Sequence, residues 1–109
     1  MSSLQKRIDN IKADLFALGP MLPGSISEQW NVCGKAGCRC KNPDEPQKHG
    51  PYYQLSFTIG GKSSTMFVKK EDLGQVRERI EEYKRFKDLS VELARAYVDL
   101  AREEGLGKR

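Results

Sequence analysis

The sequence predicts an α+β fold: a small antiparallel hairpin or three-stranded sheet carrying a knuckle-like loop, flanked by an N-terminal helix and a long C-terminal helix. Three observations predict it. Apolar residues recur at helical spacing at both ends of the chain, they alternate in the middle, and a Gly-Gly pair divides the alternating run. A length of 109 residues suits a single domain. Within it the reading places a helix over 1–19, a loop-and-sheet unit over 25–70 and a helical segment over 71–105.

The first helix rests on Leu4, Ile8, Ile11, Leu15 and Leu18, whose alternating steps of four and three form one apolar seam. Ser2 or Ser3 can cap its start, and Gly19-Pro20 is expected to end it, glycine as the cap and proline as the stop. Met21 to Ser25 reads as a connector. Ile26, Trp30 and Val32 alternate and predict a strand over 26–32 that leads into Cys33, with Glu28 breaking the pattern.

Tyr52 to Ile59 and Lys62 to Val68 read as strands joined by Gly60-Gly61, a two-residue turn that needs positive φ. That turn sets the register: Ile59 opposite Lys62, Phe57 opposite Ser64, Leu55 opposite Met66 and Tyr53 opposite Val68. One face is then apolar, with Tyr53, Leu55, Phe57, Ile59, Met66 and Val68. The other carries Tyr52, Gln54, Ser56, Thr58, Ser63, Thr65 and Phe67, polar apart from two aromatics.

Glu71 and Asp72 suit a helix N-terminus. Leu73, Val76, Ile80 and Tyr83 form one seam, and Phe86, Leu89, Leu93, Ala96 and Leu100 a second. The step from Tyr83 to Phe86 is one residue short, which predicts a bend, an overwinding or a break near Asp88-Leu89-Ser90. Two long seams offer more apolar surface than one small core covers. The expectation is a coiled-coil-like homodimer through the helices, with an intramolecular hairpin against Leu4 to Leu18 as the alternative.

Basic and acidic residues total 19 and 15, for a net charge of +4, but they are unevenly placed. The segment 33–70 holds Lys35, Arg39, Lys41, Lys48, Lys62, Lys69 and Lys70 against only Asp44 and Glu45. It is the part of the chain whose field attracts phosphate. Lysines on a hairpin edge also block strand-to-strand aggregation, which is their structural reading.

Cys33, Cys38 and Cys40 fall within eight residues, and the one histidine, His49, follows. The spacing Cys-x4-Cys-x-Cys-x8-His offers three thiolates and an imidazole, the donor set of a closed structural zinc site. An odd number of thiols argues against a disulfide framework. The segment from Gly34 to Gly50 is rich in turn formers and poor in apolar residues, so a metal is the available organising force. Lys35, Arg39 and Lys48 would offset the charge of a Cys3His centre and keep its thiols deprotonated. Asp44 or Glu45 is the alternative fourth ligand. Ordinary reduced cysteines, or thiol redox chemistry at Cys38 and Cys40, are the competing readings.

Gly24-Ser25-Ile26, Cys33-Gly34-Lys35 with Cys38-Arg39-Cys40, His49-Gly50-Pro51-Tyr52-Tyr53-Gln54-Leu55-Ser56, Gly61-Lys62, Phe67-Val68 and Tyr83-Lys84-Arg85-Phe86 together resemble a family. It is an uncharacterised family of small bacterial and archaeal proteins classed as a domain of unknown function. The resemblance covers about residues 22 to 100. It implies that the cysteines, His49 and the hairpin belong to one recurring unit, and it implies no activity.

The functional expectation is a small zinc-stabilised nucleic-acid-binding module. Lys35, Arg39, Lys41, Lys48 and Lys62 would contact phosphate, and Tyr52, with Phe67 if that ring is left open, would stack on unpaired bases. Phe67 is expected to be covered by a helix or a second subunit. The alternative is an assembly adaptor or inhibitor that uses its helical seams, with zinc purely structural. No glycine-rich phosphate loop, catalytic carboxylate pair or nucleophile and base system is visible, so an enzyme is not expected. The N-terminus lacks the apolar stretch of a signal peptide, and no run approaches the roughly 20 residues of a membrane span, so a cytoplasmic protein is expected.

Overall fold

The computed structural model describes residues 3–31 and 49–107. The elements run α1 (Ser3–Phe16), β1 (Ser25–Asn31), β2 (His49–Ile59), β3 (Lys62–Val68), a 3-10 turn (Lys70–Asp72) and α2 (Leu73–Glu103). The three strands form one antiparallel sheet in the order β1-β2-β3. This is the α+β architecture predicted from the sequence. The chain divides into two compact units, residues 1–22 with 81–109 and residues 23–80. Among the described residues no helix is long and apolar enough to cross a membrane.

In the helical unit, Ile8 and Ile11 of α1 form a core with Leu89 and Ala96 of α2, and Leu15, Leu18, Leu93 and Leu100 pack against it. The seam of α2 from Leu89 to Leu100 is therefore covered by α1 of the same chain, the intramolecular arrangement expected as the alternative. The end of α1 differs from expectation. The helix stops at Phe16 and unwinds through hydrogen bonds from the Ala17 amide to the Ala13 carbonyl and from Leu18 to Leu15. Gly19 does not adopt positive φ, so it is not a left-handed cap. Its amide instead donates to Glu82 Oε2 at 3.0 Å in a part-buried position.

In the sheet unit, the hairpin adopts the predicted register, with Ile59 opposite Lys62, Leu55 opposite Met66 and Tyr53 opposite Val68. Gly60 and Gly61 both have positive φ, 58° and 81°, the conformation whose twist matches the strands it joins. Leu55 and Val68 are buried on one face of the sheet, and Val76 in the first turns of α2 is also buried. Ile59 and Met66, assigned to the same apolar face, stay exposed.

β2 begins at His49, three residues before the predicted start at Tyr52. The ladder tolerates Gly50-Pro51 because the register shifts there. Gln29 pairs with Tyr52 and Asn31 with His49, so β2 carries one residue more than β1 over this stretch. Of the bend, overwinding or break expected near Asp88-Leu89-Ser90, the break is absent: α2 is continuous over 31 residues. Where a break was expected, the Ser90 hydroxyl donates to the Phe86 carbonyl at 2.8 Å, a bond made within a helix that continues.

Candidate nucleic-acid interface

Period-two alternation in three paired strands separates the sheet's side chains into two faces. The face opposite Leu55 carries Ser25, Ser27 and Gln29 from β1. From β2 it carries Tyr52, Gln54, Ser56 and Thr58, and from β3 Ser63, Thr65 and Phe67. No residue on it is acidic. Tyr52 is 37% exposed and Phe67 61% exposed. Phe67 sits opposite Gln54, and its ring meets that of Tyr52 diagonally, centroids 6.4 Å apart and planes at 51°. Phe67 was expected to be covered by a helix or a second subunit; within this chain it is open beside Tyr52.

Toward the hairpin turn the same face becomes hydroxylic. Gly24, Ser56, Phe57, Thr58, Ser63, Ser64 and Thr65 line an open concavity of about 680 Å³. Thr58 and Ser63 are directly opposite, and their hydroxyls are 2.8 Å apart. Aromatic surface at one end and hydroxyls at the other form a face that stacks and hydrogen-bonds without carrying charge of its own. Lys69 and Lys70, both exposed, follow β3 directly.

Of the predicted contact residues, the structure describes Tyr52 and Lys62, and it does not bring them together. Lys62 is exposed, opposite Ile59 beside the turn, on the face of Leu55. Tyr52 lies toward the other end of the hairpin on the other face. Seven residues of strand separate Tyr52 from Ile59, about 23 Å at 3.3 Å per residue. The two belong to different surfaces.

Cys33, Cys38, Cys40, Lys35, Arg39, Lys41 and Lys48 lie outside the described residues, as do Asp44 and Glu45, and His49 is described as a strand position. The pairing of Asn31 with His49 makes the segment 32–48 leave and re-enter the sheet at one rung. Among the described residues no group of three His, Cys, Asp or Glu side chains is placed to hold a metal ion.

At this rung, Gly50 has φ 146°, and a Cβ on it would lie 2.8 Å from the Gln29 carbonyl oxygen and 3.1 Å from the Trp30 ring. The glycine of His49-Gly50-Pro51 is thus required by the close approach of β1. Trp30 is half-exposed, and its indole N–H donates to Glu28 Oε1 at 3.2 Å. Glu28, the residue that broke the alternating pattern, is the partner of that indole. Sequence reasoning placed Phe67 on the face of Tyr52 through the hairpin register, but its exposure depends on distant contacts that the register does not encode.

No curated protein and no solved structure matches the chain. A family model described as a domain of unknown function, DUF6788, matches residues 1–78. That span takes in α1, the whole sheet and the first turns of α2, so it begins earlier and ends sooner than the resemblance read from the motifs. The chain belongs to the DUF6788 family.

Proposed function

We propose that this protein is a small, non-enzymatic nucleic-acid-binding module of the cytoplasm, built on a sheet whose basic loop is held by a structural zinc. The observation that carries the reading is the grouping of the chain's positive excess with its thiols. Lys35, Arg39, Lys41 and Lys48 are interleaved with Cys33, Cys38, Cys40 and His49 in a segment whose ends meet at one rung of the ladder. Three thiolates and an imidazole fit zinc and leave no position for substrate. Zinc there would replace the apolar core that this polar segment lacks, and the basic side chains would meet phosphate.

Two measurements test it. Native mass spectrometry of the untagged protein should show one zinc per chain, and a folded, metal-free protein with alkylatable thiols would end the zinc assignment. Oligonucleotide affinity followed from about 50 to 200 mM salt should fall steeply. Lys35→Ala with Arg39→Ala should lower affinity and reduce the slope of log K against log salt by about 1 to 2. An unchanged slope would remove the basic loop from the interface.

A second reading, an assembly adaptor, is supported by α2. Val91, Ala94, Arg95, Val98, Asp99 and Arg102 line a shallow groove on it, with Val91 and Val98 half-exposed. A tight oligomer in light scattering, with no oligonucleotide retained at low salt, would favour that reading.

A further inference from the structure

We infer that the sheet face bearing Tyr52 and Phe67 is a stacking platform for unpaired nucleotides, so that the module takes single-stranded rather than duplex nucleic acid. The inference rests on the nucleic-acid reading above and deepens it by assigning the substrate class, single-stranded nucleic acid, and a pair of base-contacting rings.

The argument begins with composition. Exposed protein surface is commonly rich in lysine and glutamate, which keep it solvated. This face carries neither: its side chains are serine, threonine, glutamine and two aromatics. Among the described residues, none on this face carries a carboxylate. The acidic groups nearest in sequence are elsewhere: Glu28 alternates onto the other face, and Glu71 and Asp72 stand in the 3-10 turn beyond the sheet. Lys69 stands between the end of β3 and that turn, and Lys70 opens the turn, so both follow Phe67 within three residues along the chain.

Geometry then selects the strandedness. The two rings are 6.4 Å apart and inclined at 51°, so neither lies flat against the other. That separation is nearly twice the roughly 3.4 Å rise per nucleotide of a stacked strand. Two neighbouring bases can engage both rings only if they leave each other's stack. A duplex keeps its bases stacked and presents only their edges to side chains in the grooves, whereas a single strand turns its π-faces outward. The hydroxyls of Ser56, Thr58, Ser63 and Thr65 continue along the strands from the rings, where they would donate to the sugar and phosphate oxygens of the following nucleotides.

The test compares a labelled oligothymidine of about twelve nucleotides with a duplex of the same length. Proteins are wild type, Tyr52→Ala, Phe67→Ala, and the ring-preserving pair Tyr52→Phe and Phe67→Tyr. Wild type should prefer the single strand. Each alanine variant should lose about 5- to 100-fold in single-strand affinity, as expected for loss of one stacked base. The ring-preserving variants should stay within about twofold, and duplex affinity should not move. Both side chains are exposed, so unchanged thermal unfolding should accompany the loss.

If the alanine variants bind oligothymidine as wild type does while Lys35→Ala with Arg39→Ala still flattens the salt dependence, the platform is overturned and the nucleic-acid reading stands. If wild type retains neither oligonucleotide at low salt, both fall. A change of oligomer mass in the alanine variants without any change in oligonucleotide affinity assigns the face to a protein partner and overturns the platform.

Discussion

Gly50 shows how a single backbone conformation binds two strands together. With φ at 146° and a carbonyl 2.8 Å from where a Cβ would stand, alanine is strained and crowded at once. Gly50→Ala should destabilise the protein by about 1 to 3 kcal/mol, read as a lowered midpoint in urea. Glu82 and Glu81 provide a second contrast. Glu82 accepts the Gly19 amide in a part-buried bond, whereas Glu81 forms only an exposed pair with Lys84 at 3.0 Å. Glu82→Ala should cost about 1 kcal/mol, since it strands a backbone donor. Glu81→Ala should stay within about 0.5 kcal/mol.

At the scale of elements, α2 explains its own irregular seam. At about 100° per residue, Val76 with Ile80 and Leu89 with Leu93, Ala96 and Leu100 point in directions about 150° apart. The stripe changes face while the helix stays intact. Ile8 is fully buried in the α1–α2 core, so Ile8→Ala should cost about 2 to 4 kcal/mol. Val91 is half-exposed on another face, and Val91→Ala should change stability by less than about 0.5 kcal/mol.

The same helix pair carries a pH signature. The Lys12 ammonium lies 5.4 Å from the centre of the Tyr97 ring, and that tyrosine, chiefly through its hydroxyl, raises the Lys12 pKa. A raised lysine pKa means stabilisation present below the unfolded value, about 10.4, and lost as pH climbs through the folded one. Tyr97→Phe should lower the Lys12 pKa observed by NMR titration and leave stability at neutral pH nearly unchanged.

For the whole molecule, the division into two units makes the zinc assignment testable by where its loss is felt. The helical unit has its own apolar core, whereas the residue range of the sheet unit, 23–80, includes the polar segment 32–48. Chelation should weaken amide-exchange protection of the rungs around Asn31 and His49. Protection around Ile8, Leu89 and Ala96 should persist. Uniform loss of protection in both units would contradict independent stability, and no loss in either would contradict the metal.

Features governed by short-range chemistry were legible in the chain alone. Gly60-Gly61 allows one turn, the turn sets one register, and a period of two then assigns every hairpin side chain to a face. The α1 stripe was legible for the same reason, since steps of three and four leave one apolar side. The cysteines, His49 and the basic residues were legible as a candidate site because spacing and donor chemistry stand in the chain itself. Their arrangement was not, because it depends on how the segment closes.

Distant contacts settle the rest. Phe67 and Val68 are neighbours in one strand, yet Val68 is buried and Phe67 open, because burial follows from which face receives a cover and not from apolarity. Tyr52 and Lys62 carry the right chemistry for one interface, yet strand length and alternation set them on different surfaces. Gly19 has the residue type of a helix cap, but Glu82, 63 positions along the chain, binds its amide instead. α2 continues through its phase change because a helix needs only its own hydrogen bonds to persist, while the partners of its two faces come from different parts of the chain.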